Sequence, residues 1–417
     1  MTDLIRLVPN LRFPAFIQDG GWKEYKLGDI AQFYKGKGIS KNNVTENGTI
    51  PCIRYGELYT HYKEVINEVT SYTDLSIDDL FMSKANDIII PSSGETKEDI
   101  ATASCVLRNN VALGGDINVI RTSNNGVFLS YYLNNAKKHD IAKIAQGISI
   151  IHLYNEQLRN LSIEIPNLEE QQEIAECLSS IDSYISSVSG KVEQLKSHKK
   201  SLLQKLFPQR GQTVPEYRFS EFQDSKGWET KNLKDIAFRI TVKNKSKKDL
   251  PVFTNSASGG IVNQQDYFDR EIVTKDNLVN YSIVEVDDFV YNPRISTTAP
   301  VGPISRNRIG CGVMSPLYII FRFSDGNIDF FEHFFKTNCW HQYLKNKANF
   351  GARFDRMNIT NEDFMDMPIP FPPIIEQIKI AECLSSIDRT IRLYSEKASQ
   401  LVQHKKGIMQ QLFPINR

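Results

Sequence analysis

The feature that most constrains this chain is that it contains itself twice. Glu170-Gln171, followed by Ile174-Ala175-Glu176-Cys177-Leu178-Ser179-Ser180-Ile181-Asp182, returns at a constant offset of 206 residues as Glu376-Gln377 and Ile380 to Asp388. At the same offset His198-Lys199-Lys200 matches His404-Lys405-Lys406, and Leu206-Phe207-Pro208 matches Leu412-Phe413-Pro414. The match reaches back to the start of the chain. Pro9, Arg12, Phe13, Phe16, Gly21, Trp22, Leu27, Asp29, Ile30 and Ala31 reappear as Pro215, Arg218, Phe219, Phe222, Gly227, Trp228, Leu233, Asp235, Ile236 and Ala237. An internal repeat decides the architecture before any local reading does. The order is a lead-in, a variable region and a long shared segment, then the same again.

The shared segments read as helices. Ile174, Leu178, Ile181, Ile185, Val188, Val192, Leu195, Lys199, Leu202 and Leu206 alternate in spacings of four and three. Ile380, Leu384, Ile387, Ile391, Tyr394, Ala398, Leu401, Lys405, Ile408 and Leu412 keep the same frame. That is a heptad seam with one lysine in each copy. Asn167, three residues before Glu170, suits an N-cap with a capping-box partner. Pro208 and Pro414 stop the helices, and Gly190 is a weak point where a kink is expected. A helix from 170 to 206 would be roughly 55 Å long. Each seam needs a partner, and the other helix of the chain is the simplest one. Because the lead-in resembles the linker 209–222, the N-terminus is expected near the end of the second helix. The expected object is closed and pseudo-two-fold, with antiparallel helices.

The regions between the helices, 22–166 and 228–372, both read as mixed α/β. Strands are expected at 50–54, 87–90, 105–107 and 117–120 in the first, and at 282–286, 289–291 and 317–323 in the second. A helical stretch follows in each, 128–145 and 330–348. Each region then closes on a short strand running into proline, 161–166 and 367–372. The fold class is α/β (α+β). The parts are 1–166, lead-in and first variable region; 167–208, first helix; 209–372, linker and second variable region; and 373–417, second helix.

Several loops carry chemistry suited to nucleic acid. Lys35 and Lys37, set among Gly36 and Gly38, are phosphate-seeking groups in a pliable loop. Arg54, Tyr55 and Glu57 offer a donor, an aromatic ring and an acceptor. The strand at 87–90 feeds Ser92, Ser93, Glu95 and Thr96, and the strand at 289–291 feeds Asn292, Arg294 and Thr297. Asn255, Ser256 and Ser258, with Arg353 and Arg356, are further candidates. Arginine reads guanine and asparagine reads adenine through paired hydrogen bonds. Ordinary turn chemistry accounts for Ser, Gly and Asn in such places equally well. Lys243 and Lys245 belong to a run with Arg239, Lys247 and Lys248 that contains no acid. A run of this kind is more often a solvated loop.

Bulk properties limit the alternatives. At 417 residues, 41% hydrophobic and 24% charged, the chain has the composition of a multi-domain globular protein. Its net charge of +1 means that any DNA-binding charge is segregated. No apolar run approaches the ~20 residues of a membrane span, and residues 1–10 lack a signal peptide's pattern, so a cytoplasmic protein is expected. The six cysteines (Cys52, Cys105, Cys177, Cys311, Cys339, Cys383) form no C-x-x-C pair and read as small reduced core residues. There is no phosphate-binding G-x-x-x-x-G-K-[ST] loop, no glycine-rich methyl-donor signature and no metal-ligand histidine spacing. Tyr291-Asn292-Pro293-Arg294 is one proline short of a catalytic Asn-Pro-Pro-aromatic tetrapeptide. His198 and His404 are expected to be exposed or partner-facing. No catalytic, cofactor-binding or metal residue is assigned.

With the repeat in place, the chain resembles the specificity subunit of type I restriction-modification enzymes over essentially its whole length. The telling pieces are the helix openings (Pro166 to Ala175, Pro373 to Ala381), the Lys-Lys and Leu-Phe-Pro helix ends, and the Gly-Trp, Leu and Asp-Ile-Ala lead-ins. The resemblance implies that each variable region is a target-recognition domain reading half of a split double-stranded DNA sequence. It implies that the helices act as a spacer and dock two methyltransferase (modification) subunits. Two restriction (endonuclease/translocase) subunits would complete the complex. S-adenosylmethionine, ATP and magnesium would belong to those partners, and this chain would be a non-catalytic subunit. The seam lysines Lys199 and Lys405 would mark where the helix pair splays. Two other readings are a non-DNA coiled-coil scaffold and an enzyme with an unrecognised site.

Overall fold

A computed structural model describes residues 8–245, 249–267, 275–348 and 355–414. The chain divides into two compact units. Unit 1 holds residues 1–189 and 396–417; unit 2 holds 190–395. Each therefore contains one variable region, the first part of the helix that follows it and the last part of the other helix. The boundary in the first helix falls at Gly190.

The variable region of unit 1 is closed at its base by its own ends. Strand Lys23–Lys26 pairs antiparallel with Ser162–Ile165, Lys23 opposite Ile165. Above it lies a five-stranded sheet in the order Ala31–Lys35, Ile117–Thr122, Asp87–Pro91, Ser104–Val106 and Val65–Ile66. The central strand Asp87–Pro91 is buried throughout, which explains its unbroken apolar run. A four-stranded sheet built on Ile50–Ile53 completes the region. Unit 2 repeats the plan. Glu229–Asn232 pairs with Pro368–Phe371, and one four-stranded sheet runs Ala237–Arg239, Ile319–Phe323, Phe289–Tyr291, Ile304–Arg306. A second four-stranded sheet is built on Val252–Ser256.

The single helical stretch expected in each region is two helices. In unit 1 they are Gly126–Asn135 and Lys138–Ile144. The break turns Lys137 inward, where its Nζ meets Glu164 at 2.8 Å with both side chains buried. In unit 2 they are Ile328–Phe335 and His341–Lys347. There the intervening turn is fixed by Thr337 Oγ1, which donates to the Phe334 carbonyl at 2.7 Å. Asn125 and Asn327 cap the first helix of each pair through Phe128 N and Phe330 N, both at 2.9 Å.

The two long helices run Leu168–Lys205 and Ile374–Leu412. Asn167 Oδ1 accepts from Glu170 N at 2.8 Å, as an N-cap should. The reciprocal half of the expected capping box is missing, because the Glu170 carboxylate is engaged elsewhere. Seam residues are buried or half-buried in both helices. In unit 1 Ile174 and Leu178 share a core with Met409, Leu412 and Phe413. In unit 2 Leu206 and Phe207 share one with Ile380 and Leu384. Within each unit the helix segments are therefore antiparallel. All six cysteines are free thiols; Cys52 and Cys105 are buried, but Cys311 is exposed, contrary to its expected core position.

Candidate nucleic-acid interface

Each variable region aims a turn from the end of its central strand, and the start of that strand is held the same way twice. In unit 1 the buried Asp87 takes Arg121 bidentately, Nε to Oδ1 at 2.7 Å and Nη2 to Oδ2 at 2.6 Å. The same carboxylate accepts from Lys84 N at 2.8 Å. In unit 2 the buried Asp288 accepts from Arg322 Nε at 2.6 Å and from Glu285 N at 2.7 Å. The residues just before them, Asn86 and Asp287, both have positive φ (79° and 73°), a conformation that Asn and Asp tolerate best among non-glycine residues. The two strands are thereby gripped at corresponding places. Sequence reading missed these Asp–Arg pairs.

Beyond the strands the chain pairs with a second segment. In unit 1 Ser93 lies opposite His152, and Leu153 N donates to Ser92 O at 3.1 Å. In unit 2 Arg294 lies opposite Arg356, and Met357 N donates to Pro293 O at 2.9 Å. The backbone scheme is shared while the paired side chains differ completely.

Burial sorts the remaining candidates. Ser92 and Ser93 are buried, whereas Glu95 and Thr96 are exposed; Thr96 caps a short helix by accepting from Asp99 N at 3.1 Å. Asn255 is buried and donates through Nδ2 to Val290 O at 2.7 Å. Asn292, also buried, donates to Asn255 O at 2.8 Å and accepts from Arg294 N at 3.0 Å. These two asparagines are buried and hold the turn in shape through backbone bonds, with Asn255 Oδ1 left without a hydrogen-bond partner. Ser256 is buried, with Oγ accepting from Gly259 N at 3.0 Å. Ser258, Arg294 and Thr297 are exposed. The Ser256 loop borders a cleft of about 600 Å³ that is also lined by Gly260, Thr298, Arg306 and Arg308.

In unit 1 Arg54 and Tyr55 line a groove of about 680 Å³ together with Gly38, Ser40, Gly115 and Asp116. Lys35 and Lys37 are exposed, and Lys37 lies near Asp79 at 3.8 Å. Gly36 is required there, since a Cβ would meet Gly114 O at 2.0 Å. Glu57 is largely committed to structure, accepting from Arg54 N at 2.7 Å and from the Ser71 hydroxyl. Lys243 Nζ donates to Ser282 Oγ at 2.9 Å, and Lys245 is exposed. Arg353, Lys247 and Lys248 lie outside the described residues.

The helices bring further charge pairs. Arg12 grips Glu170, Nε to Oε1 at 2.8 Å and Nη2 to Oε2 at 2.6 Å, and Arg218 grips Glu376 at 2.8 Å twice. Both arginines and both glutamates stood in the repeat, which was the available signal. The seam lysines are paired: Lys199 Nζ donates to Asp388 Oδ1 at 2.5 Å, and Lys405 Nζ to Asp182 Oδ2 at 2.7 Å. Each seam lysine thus reaches an acid of the other helix within its own unit. His198 and His404 are exposed, as expected.

Comparison with known proteins agrees with this architecture. The family described as the type I restriction modification DNA specificity domain matches residues 19–197 and again residues 225–403. The MjaVIII type I restriction enzyme specificity subunit of Methanocaldococcus jannaschii is 24% identical over 413 residues, covering 93% of this chain and 91% of that protein. The EcoR124I/EcoR124II specificity subunit of Escherichia coli is 26% identical over 173 residues, 40% of this chain and 42% of that one. The crystal structure of the type I restriction-modification S subunit from M. genitalium superposes with a TM-score of 0.61 at 15% identity, covering 98% of this chain and all of that one. The chain belongs to the family of DNA specificity subunits of type I restriction-modification systems.

Proposed function

We propose that each unit reads one half of a bipartite double-stranded DNA target through the turn at the end of its central strand. The observation that carries this reading is the shared ladder that pairs Ser93 with His152 in one unit but Arg294 with Arg356 in the other. A framework kept constant with its paired groups exchanged suits two readers of different sequence. The paired long helices set the distance between half-sites and dock two modification subunits. Two restriction subunits join that assembly. The chain itself is non-catalytic and works in the cytoplasm; S-adenosylmethionine, ATP and magnesium serve the partner subunits. Residues that hold DNA in unit 1 are drawn from Lys35, Lys37, Arg54, Tyr55, Glu95 and Thr96, and in unit 2 from Lys245, Ser258, Arg294, Thr297 and Arg356.

The test is an exchange of residues 22–166 for the corresponding region of a relative, followed by mapping of methylated bases in cells carrying the modification subunits. One half of the methylated motif is expected to change and the other to persist. A change in both halves, or in neither, overturns the two-reader proposal.

A further inference from the structure

The unit 2 ladder places two guanidinium-bearing residues side by side. Ile295 N donates to Asp355 O at 3.1 Å, and Met357 N donates to Pro293 O at 2.9 Å. These bonds flank Arg294 and Arg356, which form an antiparallel bridge without a hydrogen bond of their own. That geometry brings opposite side chains closest, and like charges so placed repel. Arg294 is exposed and Arg356 half-buried. The Arg356 Nε is buried without a hydrogen-bond partner; the Asp355 carboxylate stands 3.7 Å from it, outside hydrogen-bonding reach. The turn beneath is held by Asn292 and Asn255, whose amides bond to backbone. A rigid support thus carries clustered donors whose repulsion a bound acceptor would relieve.

The acceptor is identified by comparing the units. The phosphate backbone is alike in both halves of a target, so groups that hold it serve both readers equally well. Groups that read bases have to differ. At the matching places unit 1 has Ser93 and His152. The arginine pair thus belongs with the groups that vary. The planar fork of arginine fits O6 and N7 of guanine in the major groove. Resting on the DNA-reading function proposed above, we infer that Arg294 and Arg356 are specificity-determining residues that read guanine in the half-site taken by unit 2.

The experiment uses the assembled modification complex. Its methylated motif is mapped first, and the half-site that persists when residues 22–166 are exchanged is assigned to unit 2. Duplexes bearing that motif are then made with each guanine of that half-site replaced in turn by 7-deazaguanine, which lacks N7. Wild-type complex is expected to bind at least one such duplex about 10- to 100-fold more weakly. The Arg294→Ala or Arg356→Ala complex should not distinguish that duplex from the unmodified one. Arg294→Lys and Arg356→Lys should behave like the alanine variants, because lysine keeps the charge but lacks the fork. Full rescue by lysine, with a loss that is uniform over sequences, would identify phosphate contacts and overturn the inference. A unit 2 half-site without a guanine on either strand would overturn it as well. Failure of the wild-type complex to bind any motif selectively would instead strike the DNA-reading proposal itself. The half-site assigned to unit 1 supplies the folding control, since its discrimination should be unchanged in all four variants.

Discussion

The main-chain amide of Leu11 donates to the carbonyl of Gln411 at 3.0 Å, tying the start of the chain to the end of the second long helix. Unit 2 repeats this bond at the same offset, with Tyr217 N donating to Lys205 O at 2.9 Å. In unit 2 the two residues belong to one continuous stretch, joined through the linker after the first helix. In unit 1 they are separated by nearly the whole chain. Phe413 completes the first case by packing its ring among Trp22, Phe128 and Tyr132. Phe207 takes the same place among Trp228, Phe330 and Phe334.

A circular permutant follows from that equivalence. Joining the region before Leu11 to the end of the second helix with a linker copied from residues 209–216, and opening the chain near Gly211, should leave both units with all their contacts. Gly211 has a positive φ and open space around it, which suits a new end. The permuted chain should direct methylation of the same motif in cells. A chain that fails to assemble, while the parent does so under the same conditions, would count against the equivalence of the two junctions.

The clamp between Arg12 and Glu170 should be costly to break. Their side chains are 6% and 1% exposed, so neither charge can be rehydrated without local opening. Arg12→Ala leaves the carboxylate with Trp22 Nε1, at 3.4 Å, as a remaining side-chain donor. Breaking one side of such a pair costs about 3–5 kcal/mol. The double variant Arg12→Met/Glu170→Leu removes both charges and should recover most of the loss. Urea midpoints of the four proteins in the cycle measure the coupling. Additive effects of the two single changes would show that the pair contributes nothing as a pair.

Unit 2 should lose stability on mild acidification because of His333. Burial, then the charges of Lys336 and Lys199, push its imidazole down to about 4, against the opposing pull of Asp388 and Glu332. Its Nε2 is 3.0 Å from Ser385 Oγ, and Nδ1 is buried without a partner. An unfolded histidine titrates near 6.5. The neutral folded form therefore contributes fully above about pH 6.5. That contribution declines as the pH falls from there toward 4, by up to about 3 kcal/mol. Many carboxylates titrate in the same range, so the useful quantity is the difference from His333→Gln. Wild type should show the steeper fall in urea midpoint between pH 7 and pH 5. Parallel curves for the two proteins would contradict a buried neutral histidine.

Periodic features were legible in the sequence because periodicity survives without knowledge of the partner. The seam from Ile174 to Leu206 and the strand at 289–291 needed only spacing and apolar character, and both are present in the fold. Features that depend on a distant partner were not. Lys199 stood out in its seam, but Asp388, 189 positions away, is what makes it acceptable there. The loops were harder still. Asn255 and Arg294 have equal claims on DNA by residue type, yet one is buried against Val290 O and the other is exposed. Strand length and turn direction decide that difference, and neither is encoded in the loop's own residues. The equivalence of Ser93–His152 with Arg294–Arg356 was hidden because the second member of each pair lies about 60 residues beyond the first.

The length of the paired helices should govern the distance between half-sites. Adding one heptad at matched points of both helices preserves the hydrophobic seam. Seven residues add roughly 10 Å at 1.5 Å per residue. DNA rises ~3.4 Å per base pair, so the gap in the methylated motif should grow by about three base pairs. Twist complicates the result. Three base pairs also turn the duplex by nearly a third of its ~10.5-base-pair repeat, while a heptad barely rotates the face of the coil. The second reader then meets the groove out of phase unless the DNA twists or bends to comply, at a cost of a few kcal/mol. Two results are therefore expected of the lengthened protein: methylation at a longer gap, or weakened binding to every gap length offered. Oligonucleotide duplexes with the two half-sites spaced at successive intervals separate these outcomes from a folding defect, which a circular dichroism spectrum monitors directly. A lengthened protein that stays folded, binds with undiminished affinity and directs methylation at the original gap would mean that something other than helix length sets the spacing.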